Sequence, residues 1–279
     1  MVFVLYGNIL ATHTRMAYIC AQEMGLVGTP AFELRNVEWS EILYPNEKFD
    51  YNKSPFKRIP WFEDKENGVK LFESRAIVKY MAMKTSSPLI PKYDNPVQVA
   101  NFEVACSLEL GDFTTYTKML LYKLVHGPMA HQKPTDEVLA KSYREALDRT
   151  FQGYERILSK QKYLAGDELT VVDLFHIPSA HWLAMVGGIP PLGEGTLPFT
   201  KSDGTPAAIP IPKAADGTWP LPHPATAQTD GTLPFPHLRE WWKNILELDS
   251  VKKVNGQFIE IMQSMVPPQP QREEQEQAK

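Results

Sequence analysis

Three short stretches of the chain carry side chains suited to chemistry. The first is Tyr6-Gly7-Asn8-Ile9-Leu10-Ala11-Thr12-His13-Thr14-Arg15, whose pattern is strand, loop and helix start. Free amides at a helix N-terminus, with hydroxyls beside them, favour an anion. The second is Arg58-Ile59-Pro60. An X-Pro bond just ahead of a strand can be cis, which would turn the Ile59 N–H and C=O outward to pair with an extended peptide. The third is Glu73-Ser74-Arg75 at a helix start, where Ser74 and its amide suit a carboxylate and Glu73 suits an ammonium group. A ligand with an α-amino acid head, a peptide body and an anionic sulfur fits all three. Each stretch also has a plainer reading. Thr12 or Thr14 reads equally as an N-cap, Pro60 as a trans proline at a strand edge, and Glu73 as compensation of a helix dipole. His13 reads as a loop residue.

The elements that must hold these stretches follow from apolar spacing. Val2–Tyr6 and Ala31–Arg35 read as strands either side of an amphipathic helix, Thr14–Met24, closed by Gly25. A polar loop with Pro45 and Pro55 follows. Residues 59–62 and 69–72 read as a hairpin around the turn 65–68, and Glu73–Met83 returns to helical spacing. The order βαβ then ββα makes a small mixed sheet with a right-handed first crossover. Beyond Asn95 the pattern is helical: 97–126 with a bend near Gly111, then 135–159, 170–186 and 236–265, which pack as a bundle. The boundaries read as 1–84 for the α/β domain, 85–93 for a linker and 94–266 for the helical domain. An insertion, 189–236, holds 11 of the 24 prolines, repeats Gly-Thr-Leu-Pro-Phe at 195–199 and 231–235, and reads as a surface excursion. Residues 267–279 are polar and read as a disordered tail.

Composition narrows the function classes. The chain has 279 residues, 43% hydrophobic and 22% charged, as expected of a soluble globular protein. A net charge of −4 argues against nucleic acid as the main partner, since neutralising phosphates needs clustered Lys and Arg. No apolar run reaches the ~18 residues of a membrane span, and the N-terminus lacks the features of a secretory signal. Two cysteines, Cys20 and Cys106, with no CxxC pair, exclude a disulfide scaffold and a Cys-rich zinc site, so no metal is expected; they favour a reducing, cytoplasmic setting.

The three stretches, as Leu-Tyr-Gly…Thr-Arg, Ser-Pro-Phe-Lys-Arg-Ile-Pro and Leu-Phe-Glu-Ser-Arg-Ala-Ile, resemble the glutathione-binding half of a glutathione transferase. Residues 163–174, Tyr-Leu-Ala-Gly-Asp-Glu-Leu-Thr-Val-Val-Asp-Leu, resemble the signature of its helical half, and Pro236-His237-Leu238-Arg239…Trp242 the segment after it. The likeness is to the phi-like branch of plants and fungi; it spans about 1–188 and 235–265 and leaves the insertion unmatched. The resemblance implies a thioredoxin-like α/β domain followed by an all-α bundle, and a homodimer. It implies glutathione as co-substrate, its thiolate added to a hydrophobic electrophile or used to reduce a peroxide. Glutathione would be held by Arg58, Ile59, Pro60, Glu73 and Ser74, with Lys48 a replacement for a basic contact. The branch has a Ser where Ala11 stands, so Thr12, and after it Thr14, are the candidate thiol activators. A carrier that binds glutathione without turning it over is the alternative. Tyr116, Met119, Leu120, Tyr122 and Lys123 fall where the family lines its hydrophobic site, which the insertion is expected to narrow or cover. Within the signature, Thr170 and Asp173 have capping-box spacing and Leu169 and Leu174 that of a hydrophobic staple, assigning Asp173 to folding.

Overall fold

The computed structural model describes residues 2–42, 49–126, 136–185, 197–200, 206–209 and 235–264. The N-terminal part runs β1 (Phe3–Gly7), α1 (Thr12–Glu23), β2 (Phe32–Asn36), a single turn α2 (Trp39–Ile42), β3 (Trp61–Asp64), β4 (Val69–Phe72) and α3 (Ser74–Lys84). The sheet order is β2-β1-β3-β4. β1 and β2 are parallel, with Phe3 beside Phe32, as a crossover through a helix requires. β1 and β3 are antiparallel with Tyr6 beside Trp61, and β3 and β4 form the hairpin. This is the thioredoxin-like arrangement of a mixed four-stranded sheet.

Two local devices set the sheet. Asp64 is buried at the end of β3, where its carboxylate accepts N–H groups of Glu66 and Asn67 and the Tyr80 hydroxyl at 2.7 Å. The hairpin turn is thereby tied to α3. Gly7 ends β1 under α1, where an added Cβ would stand 2.4 Å from Thr14 Oγ1. Only glycine allows this approach of helix to strand. Phe3 and Leu5 of the sheet, Ala17, Cys20 and Ala21 of α1, and Ile77, Val78 and Met81 of α3 share one core.

The rest is helical: α4 (Pro96–Leu108), a π-helical stretch (Glu109–Thr114), α5 (Thr115–Leu121), a second π-helical stretch (Tyr122–His126), α6 (Glu137–Leu158), α7 (Val171–Phe175), α8 (Ile177–Met185), α9 (Pro236–Leu246) and α10 (Asp249–Ser264). A two-stranded hairpin, β5 (Leu197–Thr200) with β6 (Pro206–Ile209), stands within the proline-rich stretch. Residues 189–196, 201–205, 210–234 and 267–279 lie outside the described residues. Where the sequence suggested a bend near Gly111, the chain widens to π turns. A π turn aligns positions i and i+5, and Thr114 donates its hydroxyl to Glu109 at 2.6 Å across such a step.

The capping box on α7 is formed: Asp173 accepts the Thr170 N–H at 3.0 Å, and its other oxygen takes the Leu164 N–H at 3.1 Å and the Trp241 indole N–H at 2.9 Å. Asp173 is fully buried and every one of these partners is structural. Glu155 of α6 accepts the first amides of α9, His237 at 3.3 Å and Leu238 at 2.8 Å, supplying from another helix a cap that Phe235 cannot. Arg15 runs from α1 into the bundle, donating to the Pro178 carbonyl at 3.0 Å and lying 3.6 Å above the Phe258 ring. It welds the sheet layer to α8 and α10.

Candidate functional site

α1 starts at Thr12, two residues earlier than its apolar spacing suggested. Ala11 occupies the N-cap position, with no side-chain acceptor for the first amides. The loop before it is closed locally by the Asn8 side chain, which accepts the Leu10 N–H at 3.0 Å, and by the Asn8 carbonyl, which accepts the Ala11 N–H at 2.9 Å. Arg15 N–H is the first to bond back into the helix, to the Ala11 carbonyl. The amides of Thr12 to Thr14 are therefore the open positive end of the helix dipole. Neither Thr12 nor Thr14 is the N-cap. His13, read as a loop residue, is the second residue of α1.

The Ile59–Pro60 bond is cis, with Pro60 buried and Ile59 half-buried. Glu73 caps α3 with φ +68°, exposed, and Ser74 behind it is buried. Arg58, Ile59, Pro60, Glu73 and Ser74 line one cavity of about 300 Å³ with His13, Ser54 and Thr114 among its other walls. A second cavity, of about 480 Å³, opens beside it against Ala11, Thr12, Met119, Leu121, Tyr122 and Ser179. His13, Ile59, Thr114 and Lys118 belong to both and form the seam.

Under the seam lies a buried ion pair. Arg75 grips Glu109 with two hydrogen bonds, at 2.6 and 2.7 Å, and Thr114 at 2.9 Å. Burial alone would raise the Glu109 carboxyl; the Arg75 contacts outweigh it and hold the group ionised, below its ordinary range. At His13, burial is the main effect and the cations Arg75, Lys118 and Arg58 add to it, so its pKa falls to about 4 despite the opposing Glu109. His13 is therefore neutral at pH 7, in surroundings that repel a further positive charge and attract a negative one.

Some expected residues sit elsewhere. Thr14 is fully buried against Gly7, and neither cavity is lined by it. Of the five expected at the hydrophobic site, Met119 and Tyr122 line the second cavity. Leu120 is buried in the bundle core, Tyr116 lines a separate crevice between α4 and α6, and Lys123 pairs with Asp136 at 3.6 Å. The π turns explain this: each inserted residue rotates the following face by about 100° from the straight helix that spacing implies. Lys48 lies outside the described residues. His13, Thr114 and Lys118 were not anticipated; the hint was a polar residue recurring at helical spacing, 114 and 118, within an apolar run. Among the described residues no group of three His, Cys, Asp or Glu side chains is gathered to hold a metal ion.

Comparison with known proteins agrees with this architecture. The family models "Glutathione S-transferase, N-terminal domain" and "Glutathione S-transferase, C-terminal domain" match residues 33–83 and 117–201. Glutathione S-transferase PM239X14 of Arabidopsis thaliana is 39% identical over 201 residues, covering 71% of this chain and 88% of that protein. Glutathione S-transferase hmp2 of Hypomyces subiculosus is 33% identical over 195 residues, covering 67% and 85%. Among solved structures, glutathione transferase F7 of Populus trichocarpa superposes with a TM-score of 0.66 at 25% identity, covering 92% of this chain and 99% of that one. A sheet, a bundle and a two-part cleft of this kind, shared over most of the length of such relatives, settle descent: the chain belongs to the glutathione S-transferase family.

Proposed function

We propose that the protein is a glutathione transferase that joins the glutathione thiolate to a hydrophobic electrophile, and that it stands in the phi-like branch. The observation that carries this reading is the pair of cavities with a common seam. In it, the γ-glutamyl carboxylate meets Ser74 and the first amides of α3, the γ-glutamyl ammonium meets Glu73, and the cysteinyl backbone pairs with Ile59. The sulfur then reaches the seam, where the open N-terminus of α1 and the Thr12 hydroxyl meet it. The electrophile occupies the second cavity against Met119, Leu121 and Tyr122.

The chemistry follows from the charge at the seam. A thiol of pKa about 8.5 is mostly protonated at pH 7, and the thiolate is the nucleophile. Lowering that pKa by two units takes about 2.7 kcal/mol of preferential interaction with the anion. One hydroxyl donor, open helix amides and three nearby cations are sources of that order. The thiolate lone pair forms the S–C bond, and the leaving group departs with the electron pair of its own bond. Peroxide reduction draws on the same thiolate. Two buried free cysteines suit a cytoplasmic setting. A homodimer gives cover to the exposed apolar side chains Met83 of α3 and Val97 and Val104 of α4.

The test is conjugation of an aryl halide by the wild type and by Thr12→Val. Turnover in the wild type, reduced tenfold or more in the variant, is the expected result for loss of one donor to a developing anion. Glutathione binding with no turnover of aryl halides, enones or peroxides would instead describe a carrier.

A further inference from the structure

The second cavity carries one formal charge. Among the described residues that line it, Lys118 is the only Lys, Arg, Asp or Glu, and His13 beside it is neutral. Lys118 lies one helical turn beyond Thr114 and one turn before Leu121 and Tyr122, so these positions make a single stripe along α5 that walls the cavity. Thr114 and Lys118 also line the first cavity, which sets Lys118 at the seam. Its side chain is exposed, and no carboxylate pairs with it among the described residues, whereas Lys123 is paired with Asp136. The two nearest carboxylates are spoken for. Glu109 is gripped by Arg75, and Glu73 of the first cavity is matched by the γ-glutamyl ammonium in the reading above. The Lys118 charge is felt across the seam, since it is one of the cations that keep His13 neutral.

A lone cation at the reacting end of an otherwise uncharged cavity suits an electrophile that is apolar over most of its body and gathers negative charge close to the carbon attacked. We propose that Lys118 is a catalytic and specificity-determining residue, its ammonium binding the carbonyl oxygen of an α,β-unsaturated aldehyde, ketone or ester and holding the enolate formed as sulfur adds. This rests on the glutathione transferase reading above. The thiolate lone pair forms the S–C bond at the β-carbon, the C=C electron pair moves to join the α-carbon to the carbonyl carbon, and the C=O π pair moves onto oxygen. A proton from solvent then adds to the α-carbon and restores the carbonyl, and Lys118 keeps its own protons throughout. Charge thus passes from sulfur to an oxygen a few atoms away, within the region that Lys118 walls. In displacement at a benzylic halide the charge leaves with the halide, on the side of the carbon opposite sulfur and so away from the seam. The ammonium therefore favours the first transition state over the second.

The experiment compares kcat/KM for two electrophiles, benzylideneacetone and benzyl bromide, at saturating glutathione in the wild type, Lys118→Met and Lys118→Arg. Methionine keeps an unbranched stem and helix propensity close to that of lysine while removing the charge. The field of Lys118 at the thiolate enters both rates alike and cancels in their ratio, so the ratio reads the electrophile alone. In Lys118→Met the ratio of enone to halide should fall about tenfold, less than for an enclosed donor to an oxyanion because water reaches this site. Lys118→Arg, which retains the charge, should restore the ratio to within about threefold of wild type. A ratio unchanged in Lys118→Met, whether or not both rates fall together, overturns the role of Lys118 and leaves the transferase reading intact. A ratio that falls equally in both variants also overturns it, since the charge would then not be the cause. A wild type that conjugates neither electrophile overturns both readings.

Discussion

At the scale of single residues, the site is defined by what Ala11 lacks. With no oxygen at the N-cap, the first amides of α1 stay open, and the nearest hydroxyl is Thr12. Thr12→Val should therefore lower kcat and leave the KM for glutathione nearly unchanged, because the hydroxyl acts on the anion formed and not on the peptide. A large rise in KM with kcat preserved would place Thr12 outside the chemistry. Thr14, the other hydroxyl nearby, faces Gly7, and Thr14→Val should leave turnover within about twofold of wild type. The five groove residues Arg58, Ile59, Pro60, Glu73 and Ser74 were legible because each depends only on its immediate neighbours: a proline before a strand, a serine at a helix start. His13 was not, because it takes its place from where α1 begins. Helix starts are read from a capping side chain, and here alanine stands at the cap.

At the scale of elements, the π-helical stretch decides more than any regular helix. It places Glu109 and Thr114 together beneath Arg75, 34 and 39 residues away in sequence, and so fixes the helical part against the start of α3. Glu109 is fully buried, whereas the Arg75 side chain keeps 18% of its surface exposed. The two halves of the pair are thus unequal. Arg75→Gln strands a buried carboxylate and should cost about 3 kcal/mol or more of stability. Glu109→Gln keeps an amide acceptor beside a cation that still reaches water, and should cost less. Equal losses in denaturant titrations would mean that the pair is not anchored as described. Asp173 answers to a different logic. Its removal leaves the Leu164 and Thr170 amides and the Trp241 indole without an acceptor, so Asp173→Ala should destabilise by about 3 kcal/mol or more, without a selective effect on KM. The capping role was readable from spacing four residues long. The π turns were not, since a one-residue shift in apolar period is hidden within a run as apolar as 97–126.

For the whole molecule, the layers are joined by buried polar groups, and that makes stability depend on pH. His13 and His181 are both lowered to about 4, mainly by burial, and His176, which accepts from the Tyr154 hydroxyl at 3.0 Å, is also lowered. An unfolded histidine takes up a proton near pH 6.5, whereas the folded groups refuse it until about pH 4. In that window the unfolded chain binds more protons, so stability rises with pH and is lost as pH falls, by up to about 3 kcal/mol per histidine. Glu109 and Glu155, held below their ordinary range, add a further loss at lower pH as they protonate. The midpoint of chemical unfolding should drop steadily from pH 7.5 to pH 5. A flat profile would show that these rings are hydrated in the folded protein. The overall architecture was legible because alternating and helical periods follow each other in an order with few solutions. The Arg15 anchorage was not, because nothing local marks an arginine that will be buried between two layers.

The central claim is that one groove, between the cis Ile59–Pro60 bond and the start of α3, takes glutathione in extended form with its sulfur at the seam. Isothermal calorimetry of reduced glutathione into the full chain and into Ser74→Ala is the direct measurement. The account predicts one site per chain at millimolar affinity or tighter, weakened about tenfold in the variant, as expected when a hydrogen bond to a carboxylate is removed. No binding by the wild type at millimolar glutathione, or binding indifferent to Ser74, would contradict it.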